Sequence, residues 1–330
     1  MQISVIITTY NRIEDLDRCL DSIAAQTRLP KEILVVDNGT DKGTSELVER
    51  KKREFGQRGM FLDYIRNYIE NSLTVAKNIG VRCSRGDIIS FLDDDLLLDK
   101  NYYEEIIKVY DKIPNALGVT GYNYHEIEKE YDRGIIESML HAYIKSFQVI
   151  FFFEEDRCRV LPSLCTTFAY PHPDRIVSCE WLSGSSTYRK VILETIKPDE
   201  NLKKYSDDED QDLSYRIFKK YPNSLFSTCN AKYLHKGSPR AAHSKEVIYM
   251  SEVYDLYLFY KNIDQNLKNK LIYLRSRIGR LVLNIVLALK QPKTRLMEIK
   301  YLFGALFYCV KHKGDIGEGS LEFFNRGLYS

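Results

Sequence analysis

The sequence predicts an α/β fold, a Rossmann-like, mainly parallel sheet flanked by helices with a helical extension at its C-terminal end. The first observation is that the initial hundred residues alternate short β-rich runs with amphipathic helical ones, the signature of βαβ units. The second is that polar clusters follow those β runs, at the carboxyl ends where open α/β sheets bind ligands. The third is a change of period, with residues 244–312 reading as helix throughout.

Each element follows from its own pattern. ISVIITT (3–9) reads as a buried strand, and IEDLDRCLDSIAAQ (13–26) as a helix with Leu16, Leu20 and Ile23 on one face. EILVVD (32–37) is a second strand, GTSELVERKKREFG a polar helix and FLDYIRN (61–67) a third strand. SLTVAKNIGVRCSRG (72–86) reads as a helix ending at Gly86, and DIISFLD (87–93) as a fourth strand. The middle region, 121–180, is aromatic and irregular, and FQVIFFFEED and TTFAYPHPDR suggest a wall or insertion around a site. A helix returns at DLSYRIFKKY (212–221), then a strand at FSTCNAKYLH (226–235).

Composition narrows the class of partner. With 44% hydrophobic and 28% charged residues, the 330-residue chain can bury a sizeable core. Lys and Arg number 48 against 46 acids, so no electrostatic footprint for nucleic acid exists and a small or neutral partner is expected. Seven scattered cysteines without a C-x-x-C pair argue against a disulfide scaffold or structural zinc and fit a reducing, cytoplasmic setting. The opening MQISVIITTYNR reads as a first strand rather than a signal peptide.

The chemistry concentrates in SFLDDDLLL (90–98). Adjacent carboxylates raise one another's pKa and cost free energy unless a cation sits among them. Side chains alternate along a strand, so Asp93 and Asp95 can point together, roughly 7 Å apart, with Asp94 pointing away. That arrangement suits one carboxylate on a sugar hydroxyl and another on a divalent cation. An acidic helix start is the plainer explanation, but Asp99 or Asn101 already offers a cap for the next helix. No glycine-rich phosphate loop is present, and a hard cation held by few carboxylates completes its shell with substrate phosphates. The triplet thus predicts a diphosphate arriving with Mg²⁺ or Mn²⁺. Asp37 can accept from a base N–H or simply open a D-N-G turn. In SDDEDQDLSYR (206–216), Ser206 and Glu209 match a capping box, yet four acids in six residues exceed what a cap needs. A carboxylate there can act as a general base. His235, closing a strand, is a candidate further ligand for the ion.

TTYNR, VVDNGT, NSLTVAKNIGVRCSRGDIISFLDDD, WLSGSSTYRK and EDQDLSYR, in this order over residues 1–235, resemble the inverting glycosyltransferases of family 2, with the GT-A fold. The resemblance implies a donor-binding half (1–120), an acceptor-binding and catalytic half (121–240) and a helical C-terminal region (241–330). It implies that Thr8, Tyr10 and Asn11 line the nucleotide pocket, that Asp37 pairs with the base and that Lys77 sits near the donor phosphates. Asp93 would contact the ribose or donor sugar, Asp94 would support it, and Asp95 and His235 would hold the metal. Asp210 would be the catalytic base, with Trp181, Gly184 and Glu209 beside the acceptor. The implied donor is a nucleotide diphosphate sugar, UDP-linked above all, and the acceptor a glycan or lipid-linked sugar. Thr9 in place of the proline common before Y-N, Lys42 after the D-N-G turn and Leu73 in place of a frequent glycine depart from the family pattern.

Two rivals remain. A nucleotidyltransferase would want a glycine-rich loop after the first strand, where TTYNRIED has none. A nucleotide-sugar binding module without transferase activity would not need the intact acids. LIYLRSRIGRLVLNIVLALK (271–290) holds three arginines and is too broken to span about 30 Å of hydrocarbon. With the basic residues after it, 271–312 resembles either interfacial amphipathic helices at a membrane face or a helical cap on the catalytic domain.

Overall fold

The computed structural model describes residues 1–124, 158–167, 175–206, 208–237, 244–288 and 292–328. FQVIFFFEED and most of TTFAYPHPDR lie outside them. Among the described residues nine strands form one sheet: β1 (Ile3–Thr9), β2 (Glu32–Asp37), β3 (Phe61–Arg66), β4 (Ile88–Asp93), β5 (Leu96–Leu98), β6 (Gly118–Asn123), β7 (Ile176–Cys179), β8 (Ser186–Arg189) and β9 (Leu225–His235). Their order is β3-β2-β1-β4-β8-β6-β9-β5, with β7 also on β9. The first four are mutually parallel, as the buried apolar runs predict. Beyond β4 the sheet is mixed, since β8 runs antiparallel to both β4 and β6.

Helices α1 (Ile13–Ala24), α2 (Gly43–Gln57), α3 (Leu73–Cys83) and α4 (Tyr102–Lys112) are crossovers of this sheet. Val5, Ile7, Leu20, Val48 and Tyr103 fill one face, and Ile6, Val36, Ala76, Phe91 and Ile217 the other. The α3 helix stops at Cys83, three residues before Gly86, with Ser84 in extended backbone. Gly86 instead passes against β1, where a Cβ would lie 2.5 Å from Ser4 Oγ. The expected caps do not form either. Asn101 precedes α4 without a side-chain capping bond, and ahead of α6 (Glu209–Lys220) the buried Ser206 Oγ has no hydrogen-bond partner, so the capping box with Glu209 does not form.

After the short α5 (Lys190–Thr195), α6 and β9, the chain ends in α7 (Lys245–Asn262), α8 (Leu267–Ala288), α9 (Pro292–Lys311), α10 (Lys313–Gly317) and α11 (Glu322–Gly327). This layer shares a core with the sheet domain, since Leu164 and Leu202 join Val253, Tyr254, Leu258 and Phe259. Polar ties accompany it. Tyr254 Oη accepts from the Lys203 amide and donates to Asn325, which donates in turn to the Asn201 carbonyl. On α6, Asp212 receives Lys261 and Asn262 of α7.

Candidate active site

Strand order reverses at β1, whose neighbours are β2 on one side and β4 on the other, and ligands bind at such a switch point. The carboxyl end of β4 delivers Asp93, and the chain then turns at Asp94 and Asp95 into β5. The three acids are thus not on one straight strand. β5 pairs with the far end of β9, Leu96 opposite His235, and this register carries the imidazole back over the triplet. His235 Nε2 lies 3.2 Å from Asp95 Oδ1.

Arg12 is the cation nearest the triplet, and it was not singled out from the sequence. Its guanidinium stands 2.8 Å from Asp94 Oδ1 and 3.0 Å from Asp95 Oδ2. Thr9 Oγ1 donates to Asp94 Oδ2 at 2.7 Å. The only signal was its place in TTYNR, immediately after a strand end. Both oxygens of Asp94 are thus engaged, one by Thr9 and the other by Arg12.

The carboxylates differ in their proton affinity. Burial pushes Asp93 up to about 6, against the opposing pull of Lys77. Burial likewise lifts Asp94 to about 7 despite Thr9 and Arg12. At Asp95 burial is outweighed by His235 and Arg12, which hold its carboxyl down at about 2. One coordinating oxygen atom from each of Asp93 and Asp95 and a ring nitrogen of His235 lie within 4.8 Å of one another. Asp95 Oδ1 is buried, with His235 Nε2 beside it at 3.2 Å but no well-aligned hydrogen bond to it. Two carboxylates and an imidazole make a donor set that Mn²⁺ or Mg²⁺ fits.

A second carboxylate pair meets the first. Lys77, on α3, is buried over the Phe91 ring and donates to both Glu209 and Asp210 at the start of α6, the Asp210 contact being 2.7 Å. Burial opposes the charge of Lys77, but Asp210 and Glu209 raise its affinity for the proton well above the ordinary value. Burial and the charge of Asp210 drive Glu209 well upward. Asp210 goes the other way, because Lys77 and Glu209 outweigh its burial and hold its carboxyl down. The two carboxyls are thus pushed in opposite directions, Glu209 towards its protonated form and Asp210 towards its ionised one, the kind of separation an acid–base site uses. Lys77 thus sits on the E-D pair. Glu209 is 2% exposed and touches Lys77.

Gly184 joins the two acidic groups. The 182–185 segment leads into β8 beside β4, and a Cβ on Gly184 would lie 3.1 Å from Asp210 Oδ2 and 3.2 Å from Asp93 Oδ2. A side chain there would fill the gap between the two carboxylates. Trp181, half-buried, donates from Nε1 to the Thr167 carbonyl at 3.1 Å.

The residues expected to line the nucleotide pocket gather at the ends of β1 and β2. Thr8 is buried at the end of β1, Tyr10 is 46% exposed and Asn11 has a positive φ of 53°. Asn11 Oδ1 accepts the Thr40 amide at 2.9 Å, tying the β1 loop to the D-N-G turn. Asp37 is fully buried, and its oxygens already accept from the Gly39 amide, Tyr64 Oη and Arg66 Nη1 at 2.7, 2.9 and 3.0 Å. These bonds build the turn and fix the carboxylate at the carboxyl end of β2.

Comparison with known proteins agrees with this architecture. Residues 4–168 match the model of "Glycosyl transferase family 2". A glycosyltransferase, AglE of Haloferax volcanii, is 38% identical over 96 residues, 28% of this chain and 30% of that protein. A glucosyl-dolichyl phosphate glucuronosyltransferase of the same organism is 26% identical over 123 residues, 37% of this chain and 38% of its own length. The matched part thus spans about a third of these curated relatives. Among solved structures, mannosyltransferase PcManGT from Pyrobaculum calidifontis, with GDP-Man and Mn²⁺, superposes with TM-score 0.54 at 16% identity over 95% of this chain and 87% of its own. GalNAc-T7 with UDP, GalNAc and Mn²⁺ superposes with TM-score 0.53 at 14% identity over 84% of this chain and 55% of its own. Half of the chain matches the family model, and the acids of its switch point sit on the fold of these GT-A neighbours: the chain belongs to glycosyl transferase family 2.

Proposed function

We propose that the protein is a metal-dependent inverting glycosyltransferase that moves a sugar from a nucleotide diphosphate sugar, a UDP-sugar first, to a hydroxyl of a glycan or lipid-linked acceptor. The observation that carries it is the meeting of two acidic groups at Gly184, one with a metal-type donor set and one with a single ionised carboxylate. Asp210 is the base: held ionised by Lys77, it takes the proton of the acceptor hydroxyl as that oxygen attacks the anomeric carbon and the nucleotide diphosphate leaves. Glu209 and Lys77 position it. Asp95 and His235, with Asp93, would hold Mn²⁺ or Mg²⁺, which when bound neutralises charge on the departing phosphates. Asp93 also reaches the donor sugar, while Thr8, Tyr10 and Asn11 frame the nucleotide and Trp181 and Gly184 the acceptor side. Donor half, catalytic half and C-terminal region are assigned to 1–120, 121–240 and 241–330. Among the described residues no helix is long and apolar enough to cross a membrane. The reading places the enzyme in the cytoplasm, at a membrane face that 271–312 contacts.

The test is thermal stabilisation by UDP, GDP, dTDP and CDP sugars, each with Mn²⁺ or EDTA. A ligand at tenfold its Kd stabilises by about 1.4 kcal/mol, enough to see. One nucleotide should raise the melting temperature only with metal, and Asp95→Ala should abolish that shift. No shift with any donor in either protein sinks the reading. A metal-dependent shift without acceptor-stimulated nucleotide release would favour a binding module without transferase activity.

A further inference from the structure

The α8 and α9 helices leave one apolar face outside. On α8, Leu267, Leu271, Leu274, Ile278 and Ile285 are 72, 57, 55, 52 and 49% exposed, at spacings that keep them on one side of a helix. On α9, Leu296, Phe303, Phe307 and Val310 do the same at 60, 55, 72 and 75%. Their opposite sides pack inward, where Leu302 and Ala305 join Ile248 of α7, with Leu281 against them. A contiguous apolar face of this kind marks an interaction surface rather than ordinary exposure.

Between α7, α8 and α9 lies a cleft of about 370 Å³. Leu256 and Phe259 come from α7, Leu281 from α8 and Leu306 from α9. Leu274, Ile278 and Val310 belong both to the cleft wall and to the exposed face, so the cleft opens onto it. Lys270 and Lys313, both exposed, stand at its margin.

Charge decides the occupant. From 267 to 313 the sequence has eleven Lys and Arg and one acid, Glu298; Arg295 pairs with Glu298 at 2.6 Å, and Arg277 and Arg280 pair inward with Glu252 and Asp255 of α7, so the basic excess is carried mainly by the seven lysines. A second copy of this chain would bring the same basic surface against itself, which disfavours a symmetric dimer. Arg275, Arg277 and Arg280 in the middle of α8 forbid spanning. An apolar face with a surrounding excess of basic residues is complementary to the interface of an anionic bilayer, which attracts each Lys or Arg near its surface.

We propose that α8 and α9 lie flat in the surface of an anionic bilayer, apolar face down, and that the cleft takes up one hydrocarbon chain of an anionic lipid. The proposal deepens the membrane-face part of the function above and rests on it. It also ties that surface to the active site: Phe259 borders the cleft three residues from Asn262, which holds Asp212 beside the base on α6.

Two measurements test it with the full chain. In flotation with phosphatidylcholine vesicles, adding phosphatidylglycerol should tighten binding at least about tenfold, and salt should reverse the gain. Phe307→Ser with Val310→Ser, both at exposed sites, should lose vesicle binding at an unchanged melting temperature. In calorimetry, dodecyl phosphate below its micelle concentration should bind at one saturable site. That site should vanish when Leu281→Trp, or the milder Leu306→Phe, fills the cleft, and should survive Phe307→Ser. Equal binding to neutral and anionic vesicles, no binding to either, or a dimer that Phe307→Ser dissociates overturns the bilayer seat. Amphiphile binding that is absent, or that survives both filling variants, overturns the cleft assignment. Neither readout uses turnover, and Asp210→Asn should float like the wild type, so a failed transferase and a failed membrane seat are told apart.

Discussion

Asp210 carries the residue-scale prediction, because Lys77 biases its carboxyl towards the ionised form. Asp210→Asn keeps the shape and removes the acceptor for the proton, so turnover should fall by about 10²–10⁴ while the metal-dependent thermal shift with donor persists. Near-wild-type turnover would remove Asp210 from the base role. Gly184→Ala tests the space rather than the charge. Its Cβ would press on Asp93 and Asp210 at 3.2 and 3.1 Å, so the variant should fold with an unchanged melting temperature yet lose most acceptor turnover in a steady-state assay. What the sequence shows at this scale is the presence of the acids and not their partners. Adjacent carboxylates announce a missing cation, and 3.6- or 2-residue periods cannot say that Arg12 supplies part of it from another strand end. The same limit hides the Lys77 contact, made with residues far down the chain, and the Gly39, Tyr64 and Arg66 donors that close Asp37.

At the scale of elements, the buried strands β1–β4 and their helices are legible because each is long and strongly patterned. The four-residue β7 and β8 are not, since neither ISVIITT-like runs nor alternation mark IVSC and STYR. Helix ends also escape pattern reading. Gly86 looks like a stop signal, but it is a glycine for close approach to Ser4, and α3 has already ended. The loop before α6 supplies a prediction of its own. Asp199 accepts from Tyr257 Oη at 2.7 Å and pairs with Lys261, both on α7. Burial works against its charge, but Lys261 and Tyr257 outweigh burial and hold its carboxyl below the ordinary value. A depressed folded pKa gives stability that is present above the unfolded value, near pH 4, and is lost as pH falls through the lower folded one. Asp199→Asn should therefore lower stability at neutral pH by roughly 2 kcal/mol, the scale of a charged hydrogen bond. The gap to wild type in urea midpoints should close on acidification below pH 4. A gap constant with pH would mean that packing, not charge, holds the loop.

The whole molecule poses one question: whether the C-terminal helices are an appendage or part of the catalytic fold. The change of hydrophobic period after residue 243 invites a boundary, and the sequence alone leaves both a membrane-lying segment and a cap open. The contacts join the two readings, because α7 faces the catalytic domain while α8 and α9 face outward. Leu164 and Leu202 share a core with α7, and Asp212 takes Lys261 and Asn262 two residues from the base. Lys261 and Asn262 hold α6 through Asp212, and Tyr215 of α6 packs on the α7 core, so the helix that carries Asp210 is braced by the layer that carries the apolar face. Separate domains joined by a thin interface would melt independently. A shared core and a buried carboxylate with partners from both sides should instead give one cooperative transition, with the near-UV signal of the sheet domain and the far-UV signal of the helices lost together. Removing 244–330 should leave Leu202, Tyr215 and Asp212 without their covering side chains, and the remaining chain should be degraded by protease at temperatures the full chain survives. Two resolved transitions, or a truncated chain that still shows the metal-dependent donor shift at wild-type stability, would make the helical layer a separable anchor, and the bracing of Asp210 from α7 would then contribute nothing to the active site.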